Sequence, residues 1–123
     1  MSTRGFTEKG QKALGRLIRN TRFSAEVRSQ VIRWFQESGS FENVADPVNQ
    51  KQFAKWVSAI SGIHLSESAL GRLEKGSART GPPLALLIAL CKYMRILRLP
   101  DGSFCDLDKA TDILCGELEV DDY

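Results

Sequence analysis

The stretch from residue 66 to residue 79 concentrates side chains that can bind a nucleic acid. A guanidinium pairs with guanine through two parallel hydrogen bonds, while ammonium and hydroxyl groups bind phosphate oxygens. Arg72 carries a guanidinium and Lys75 an ammonium group, while Ser68 carries a hydroxyl. The outward face of the helix predicted at 66–75 shows Glu67, Ser68, Gly71, Arg72 and Lys75, several of which can hydrogen-bond base edges or phosphates.

Other kinds of chemistry have little support in the chain. The only histidine is His64, and the three cysteines, Cys91, Cys105 and Cys115, form no CxxC pair. A structural zinc site usually needs four Cys or His ligands, and no glycine-rich phosphate loop or GxSxG motif is present. We therefore expect free thiols, no metal site, no cofactor and no enzymatic activity.

The charge is distributed unevenly along the 123 residues. Residues 1–100 carry 16 Lys and Arg against 7 Asp and Glu, a net charge of +9, whereas residues 101–123 carry a net charge of −7. A basic body suits a polyanion, and the acidic C-terminal end is a candidate contact for a protein partner. Because no apolar run approaches the roughly 18 residues of a membrane span, we expect a cytoplasmic protein with no membrane contact.

Capping residues and apolar periodicity predict an all-α fold. The predicted helices cover 7–22, 24–37, 49 to a stop at Gly62, 66 to a stop at Gly76, 84–97, and 107 to a stop at Gly116. Asn49 and Gln52 have the spacing of a capping box. We expect one compact multi-helix domain over 1–116, followed by a disordered acidic end at 117–123.

The helices at 49 and 66 have the layout of a helix-turn-helix. Such a pair needs a small residue in the first helix, an apolar residue in the turn and apolar residues on the inner face of the second helix. Ala54 meets the first requirement, Ile63 or Leu65 the second, and Leu70 with Leu73 the third. The outward face of 66–75 is then left free to enter a major groove.

These residues resemble a known family. Residues 65–76, LSESALGRLEKG, resemble the recognition helix of XRE/Cro-type helix-turn-helix regulators, including its Glu-x-Gly end. Residues 49–54, NQKQFA, are similar to the first helix of that motif, and residues 14–22 are similar to the helix that precedes it.

The resemblance implies a phage-repressor-like fold and a role for each matching residue. Gln50 and Ser66 would contact phosphate, next to Lys51, and Lys75, Ser77 and Arg79 would hold the DNA backbone. Glu67, Ser68, Gly71 and Arg72 would face the bases, with Arg72 on guanine. We expect the Glu67 carboxylate to cap its own helix rather than to accept a hydrogen bond from cytosine.

One departure from the family leaves two arrangements open. Arg22 and Gln50 are 28 residues apart, where the family has about seven, so 23–48 is interpreted as an inserted helix and loop. Either 24–37 is an extra helix packed outside the domain, or it has replaced the leading helix and left 14–22 as an arm. In the first arrangement Arg22 forms the buried ion pair with Glu74 that the resemblance implies, and in the second Arg22 lies in solvent.

The function expected from the resemblance is sequence-specific binding of double-stranded DNA by a transcriptional regulator, a repressor. We expect a homodimer, because one helix-turn-helix reads only a few base pairs. The candidate dimer surfaces are the exposed end of helix 84–97 and the helix 107–114. The alternative is a protein-interaction module, antitoxin-like or polymerase-binding, that retains the fold and lacks the salt-dependent DNA affinity.

Overall fold

The computed structural model describes residues 6–77 and 81–120, and these residues are mainly helical. The elements are α1 (Glu8–Phe23), α2 (Ala25–Glu37), α3 (Gln50–Ser61), α4 (Glu67–Lys75), α5 (Leu84–Ile88) with a π-helical turn (Ala89–Tyr93), and α6 (Leu107–Leu114). Within the described residues, strand pairing is limited to one isolated bridge between Arg98 and Phe104. The prediction of an all-α, multi-helix fold is confirmed.

Local hydrogen bonds start the helices where the sequence predicts. The side chains of Thr7, Ser24, Asn49 and Ser66 each accept a hydrogen bond from the backbone amide three residues further on. These bonds satisfy amides that the first helical turn leaves without a partner. Gly76 ends α4 at φ 71°, in the left-handed region that glycine adopts without steric cost.

Helix α1 packs against both α4 and α6. Its apolar face, formed by Leu14, Leu17 and Ile18, is almost fully buried. At Gly15 the two backbones approach so closely that an added Cβ would overlap the carbonyl oxygens at the end of α4. The interpretation of 14–22 as an arm is therefore wrong, because these residues form a helix that is buried against α4 and α6.

Helix α2 belongs to the core. Val27, Val31 and Phe35 are at most 2% exposed and lie in the same cluster as Phe53 of α3. The other alternative, in which this helix packs outside the domain, is also wrong, because its apolar stripe is buried against the other helices.

The loop between α2 and α3 is fastened by polar side chains. Arg28 donates to the carbonyls of Val44 and Ala45, both at 3.1 Å, and the Gln52 carbonyl oxygen accepts from the Ala45 amide at 2.9 Å. The Gln52 amide nitrogen donates to the Asn43 carbonyl at 2.7 Å. The expected capping box is therefore incomplete: Asn49 caps α3, but the Gln52 side chain holds the preceding loop.

The helix predicted over 84–97 ends early. The Met94 amide donates to the Ala89 carbonyl at 2.8 Å, which widens the last turn, and Arg95 then adopts a positive φ of 53°. Leu97 is fully buried in an extended segment and accepts a hydrogen bond from the Cys105 amide at 2.9 Å. The prediction is wrong beyond the π-helical turn, because the chain must reverse to bury Leu97.

The acidic end begins with a segment that lies on the folded body. The amides of Glu117 and Leu118 donate to the Asp112 carbonyl, and Glu119 forms an exposed ion pair with Lys9 at 3.0 Å. Val120 packs against the core. The expectation of disorder covered 117–123, of which 121–123 lie outside the described residues. No helix in 6–77 or 81–120 is long and apolar enough to cross a membrane.

Candidate nucleic-acid interface

The outward face of α4 and the first turn of α3 border one shallow hollow of about 640 Å³. Its lining residues are polar or glycine: Gln50, Ser66, Glu67, Ser68, Gly71, Arg72, Lys75 and Ser77. Sequence reasoning selected each of these eight positions, and the fold brings them together on one surface. Of the other two predicted contact residues, Lys51 is exposed on α3 beside Gln50, and Arg79 lies outside the described residues.

Burial of its inner side fixes the orientation of α4. Leu70 and Leu73 are at most 7% exposed, and the core takes up both side chains. Because residues three and four apart share a helix face, this burial turns Ser68, Arg72 and Lys75 outwards, and all three are exposed. The residues of α4 that carry hydrogen-bonding groups are therefore exposed to solvent in the hollow.

The start of α4 differs in one detail from the expectation. Ser66 is the capping residue, and its hydroxyl accepts from the Ala69 amide at 3.1 Å. Glu67 follows as the first helical residue with an exposed side chain. The capping role thus falls to Ser66, and the Glu67 carboxylate lies in the first turn, where the helix dipole favours a negative charge.

One buried carboxylate connects three helices beneath the hollow. Glu74 of α4 accepts hydrogen bonds from Nε and Nη2 of Arg22 on α1, both at 2.8 Å. Gln50 of α3 donates to the same carboxylate through Nε2 at 3.1 Å. Arg22 uses its remaining nitrogen, Nη1, to reach the Val48 carbonyl at 2.7 Å. The structure therefore contains the ion pair that the resemblance implies, and both partners are more than nine-tenths buried.

This network also orients the Gln50 side chain. A carboxylate only accepts hydrogen bonds, so the amide nitrogen must face Glu74. The Gln50 carbonyl oxygen lies 3.6 Å from the position that a Cβ on Gly71 would occupy. The ordered amide of Gln50 thus borders the hollow beside Gly71, the one residue of α4 without a side chain. Sequence reasoning selected Gln50 but did not reveal this bond, because 24 residues separate the two partners.

The exposed cations of the hollow have no ion-pair partner within the described residues. Arg72 and Lys75 form none of the salt bridges there, and Glu67 is the one acidic group in the lining. Lys12 of α1 packs its backbone against Gly76 at the end of α4, and its ammonium group forms an ion pair with Glu8 at 3.2 Å.

The cysteines lie away from the hollow. Cys91 and Cys105 are buried, and desolvation raises the pKa of the first thiol to about 11 and that of the second to about 12. All three cysteines are free thiols, as expected. Across 6–77 and 81–120, no group of three His, Cys, Asp or Glu residues is arranged to hold a metal ion.

Comparisons with protein-family models, with curated proteins and with solved structures each find no match.

Proposed function

We propose that this protein is a sequence-specific regulator of transcription, a repressor, that binds double-stranded DNA with α3 and α4 as a helix-turn-helix. The observation that carries the proposal is the hollow, whose eight lining residues are all ones that the sequence pattern selects for DNA contact. The surface combines cations without an ion-pair partner among residues 6–77 and 81–120, the hydroxyls of α4, and the ordered amide of Gln50 on α3, and the inner face of α4 is buried. These are the groups that protein–DNA interfaces use for base edges and phosphates.

In this proposal α4 enters the major groove. Its nine residues span about 13 Å, and a helix about 10–12 Å across fits a groove about 12 Å wide. Arg72 pairs with guanine, and Ser68 and Glu67 lie beside neighbouring bases. Gly71 lets the helix backbone approach the base edges closely.

The remaining groups hold the phosphates. The N-terminal turns of α3 and α4 present backbone amides and a positive dipole end, and Gln50, Lys51 and Ser66 stand at these turns. Lys75, Ser77 and Arg79 follow at the C-terminal side. The hydrogen bond from Gln50 to Glu74 connects these phosphate contacts to the buried ion pair.

Binding-site selection from random duplexes, followed by fluorescence anisotropy over a salt series, tests the proposal. We expect one preferred site and an affinity that falls linearly with salt on logarithmic axes, because bound cations release counterions from DNA. The variant Arg72→Ala should reduce discrimination at one base pair by about 1–3 kcal/mol. Arg72→Lys is the matched variant, since it keeps the charge but loses the two parallel hydrogen bonds.

Lys75→Ala and Lys109→Ala provide a second matched pair, because Lys109 is exposed on α6 and lines neither the hollow nor the surface formed by α2 and α3. Each removes one positive charge, but only Lys75 lines the hollow, so only its loss should weaken binding to all duplexes and flatten the salt dependence. Equal effects of the two changes would contradict the placement of the DNA on α4. Absence of any salt-dependent affinity for duplex DNA would reject the proposed function and leave the protein-interaction alternative.

A further inference from the structure

A second concave surface lies between α2, α3 and the π-helical turn after α5. It has a volume of about 340 Å³, and its apolar floor is formed by Trp34, Trp56, Ile60, Tyr93 and Met94. Ile60 is 51% exposed and Tyr93 is 76% exposed. Solvent-exposed aromatic and aliphatic groups gathered in one place are typical of interfaces rather than of free protein surface. We refer to these five residues as the aromatic groove.

The charges at the edge of the aromatic groove are self-complementary. Arg33 and Glu37 border it on α2, both exposed, and within the described residues neither takes part in a salt bridge. In a two-fold interface the same patch faces itself, so Arg33 of one copy meets Glu37 of the other, twice. An apolar floor with one cation and one anion at its edge is therefore complementary to a second copy of this chain.

The position of the groove agrees with the proposed DNA contact. Gln50 and Ile60 lie at opposite ends of α3, ten residues apart, which corresponds to about 15 Å along the helix. A two-fold axis beside Ile60 places the two Gln50 residues up to about 30 Å apart, and this separation is reached when α3 lies perpendicular to the axis. Half-sites one helical turn apart on DNA are separated by about 34–36 Å.

We propose that the aromatic groove is the interface of a two-fold symmetric homodimer that places two α4 helices on successive turns of one DNA face. The inference deepens the proposed function, and it rests on that function only for the half-site spacing. It assigns the additional helix α2 a role, because α2 supplies both edge charges and one of the two tryptophans. Of the candidate dimer surfaces, the groove includes only Tyr93 and Met94 at the end of the π-helical turn. It includes neither the exposed start of α5 nor α6, whose buried residues pack inside the protomer.

A charge-swap cycle on the full chain tests the interface. Arg33→Glu and Glu37→Arg each place like charges opposite each other at two symmetric points, so each should raise the dimer dissociation constant by about tenfold or more in sedimentation equilibrium. The combined variant Arg33→Glu/Glu37→Arg restores opposite pairs and should return the constant to within about threefold of the wild-type value. Failure of the combined variant to recover dimerisation would overturn the proposal.

The two tryptophans of the chain provide a direct signal, because both lie in the groove. Dilution of the wild-type protein should shift the emission of the half-buried Trp34 to longer wavelength over the same concentration range in which sedimentation shows dissociation. Ile60→Ser should remove that transition. Leu84→Ser is its control, since Leu84 is similarly exposed at 63% and lies outside the groove. Circular dichroism checks that all variants remain helical.

The outcomes for the interface and for DNA binding are separable. A protein that is monomeric at all concentrations, or a dimer that Ile60→Ser leaves intact, refutes the groove interface even if DNA binding is found. A dimer that follows the charge-swap pattern without affinity for DNA supports the interface and refutes the proposed function. If both hold, the selected DNA site should be a palindrome with half-site centres about one helical turn apart.

Discussion

Replacement of the buried ion pair by apolar residues should cost less than removal of either partner alone. Arg22→Met leaves the Glu74 carboxylate with the single hydrogen bond from Gln50. Glu74→Leu leaves the Arg22 guanidinium with one hydrogen bond, to the Val48 carbonyl, and its contact with the Phe23 ring. Each change leaves an uncompensated charge in a site that is more than nine-tenths buried. We expect each to lower the free energy of unfolding by about 3–5 kcal/mol.

The double variant Arg22→Met/Glu74→Leu removes both charges together. What remains is an orphaned Val48 carbonyl, and Val48 is fully buried, so the expected loss is about 1–3 kcal/mol. Gln50 is only half-buried, and water can replace its lost partner. The sum of the two single losses therefore exceeds the loss of the double variant by at least about 3 kcal/mol. This difference is the coupling energy of the pair.

Urea unfolding followed by tryptophan fluorescence measures this cycle at one fixed protein concentration, because dimerisation contributes to apparent stability. A loss of about 3–5 kcal/mol is a large part of the roughly 5–15 kcal/mol that stabilises a domain, and it could leave a single variant partly unfolded in buffer. The wild type, the two single variants and the double variant are therefore all measured in the same concentration of a stabilising osmolyte. Additive single losses would refute a direct pair. A neutral Arg22→Met would refute the burial of Arg22 beneath α4.

Two further predictions concern Gly71 and the thiols. Gly71→Ala should stabilise the fold by about 1 kcal/mol, since alanine is the better helix former and its Cβ meets only ordinary contacts at 3.6 Å. The same methyl group should weaken DNA binding. An unchanged affinity in the anisotropy assay would exclude a close approach of the helix backbone to the bases. At pH 8, a disulfide reagent should modify Cys115 in the native protein and all three cysteines after unfolding. Burial raises the pKa of Cys91 to about 11 and that of Cys105 to about 12, so at most about one thiol in a thousand is ionised at either site. Rapid reaction of three thiols in the native state would show that this part of the core opens.

The sequence by itself determined the starts of the helices and the composition of the candidate site. Thr7, Ser24, Asn49 and Ser66 cap helices through hydrogen bonds that reach only three residues along the chain, so the local sequence specifies them. The outward face of α4 follows in the same way from the spacing of its apolar residues.

Tertiary structure decided the features that depend on distant parts of the chain. No local pattern distinguishes a helix that packs outside the domain from one that, like α2, buries Val31 and Phe35 in its core. The early end of α5 has the same origin, because the apolar run continues through Leu97 while the chain turns to bury that residue in an extended segment. The same holds for the side chains of Gln52 and Gln50. Each amide binds the partner that the folded chain brings within about 3 Å: Gln52 binds the loop before α3, and Gln50 binds the carboxylate of Glu74. Their separation along the sequence does not determine these distances.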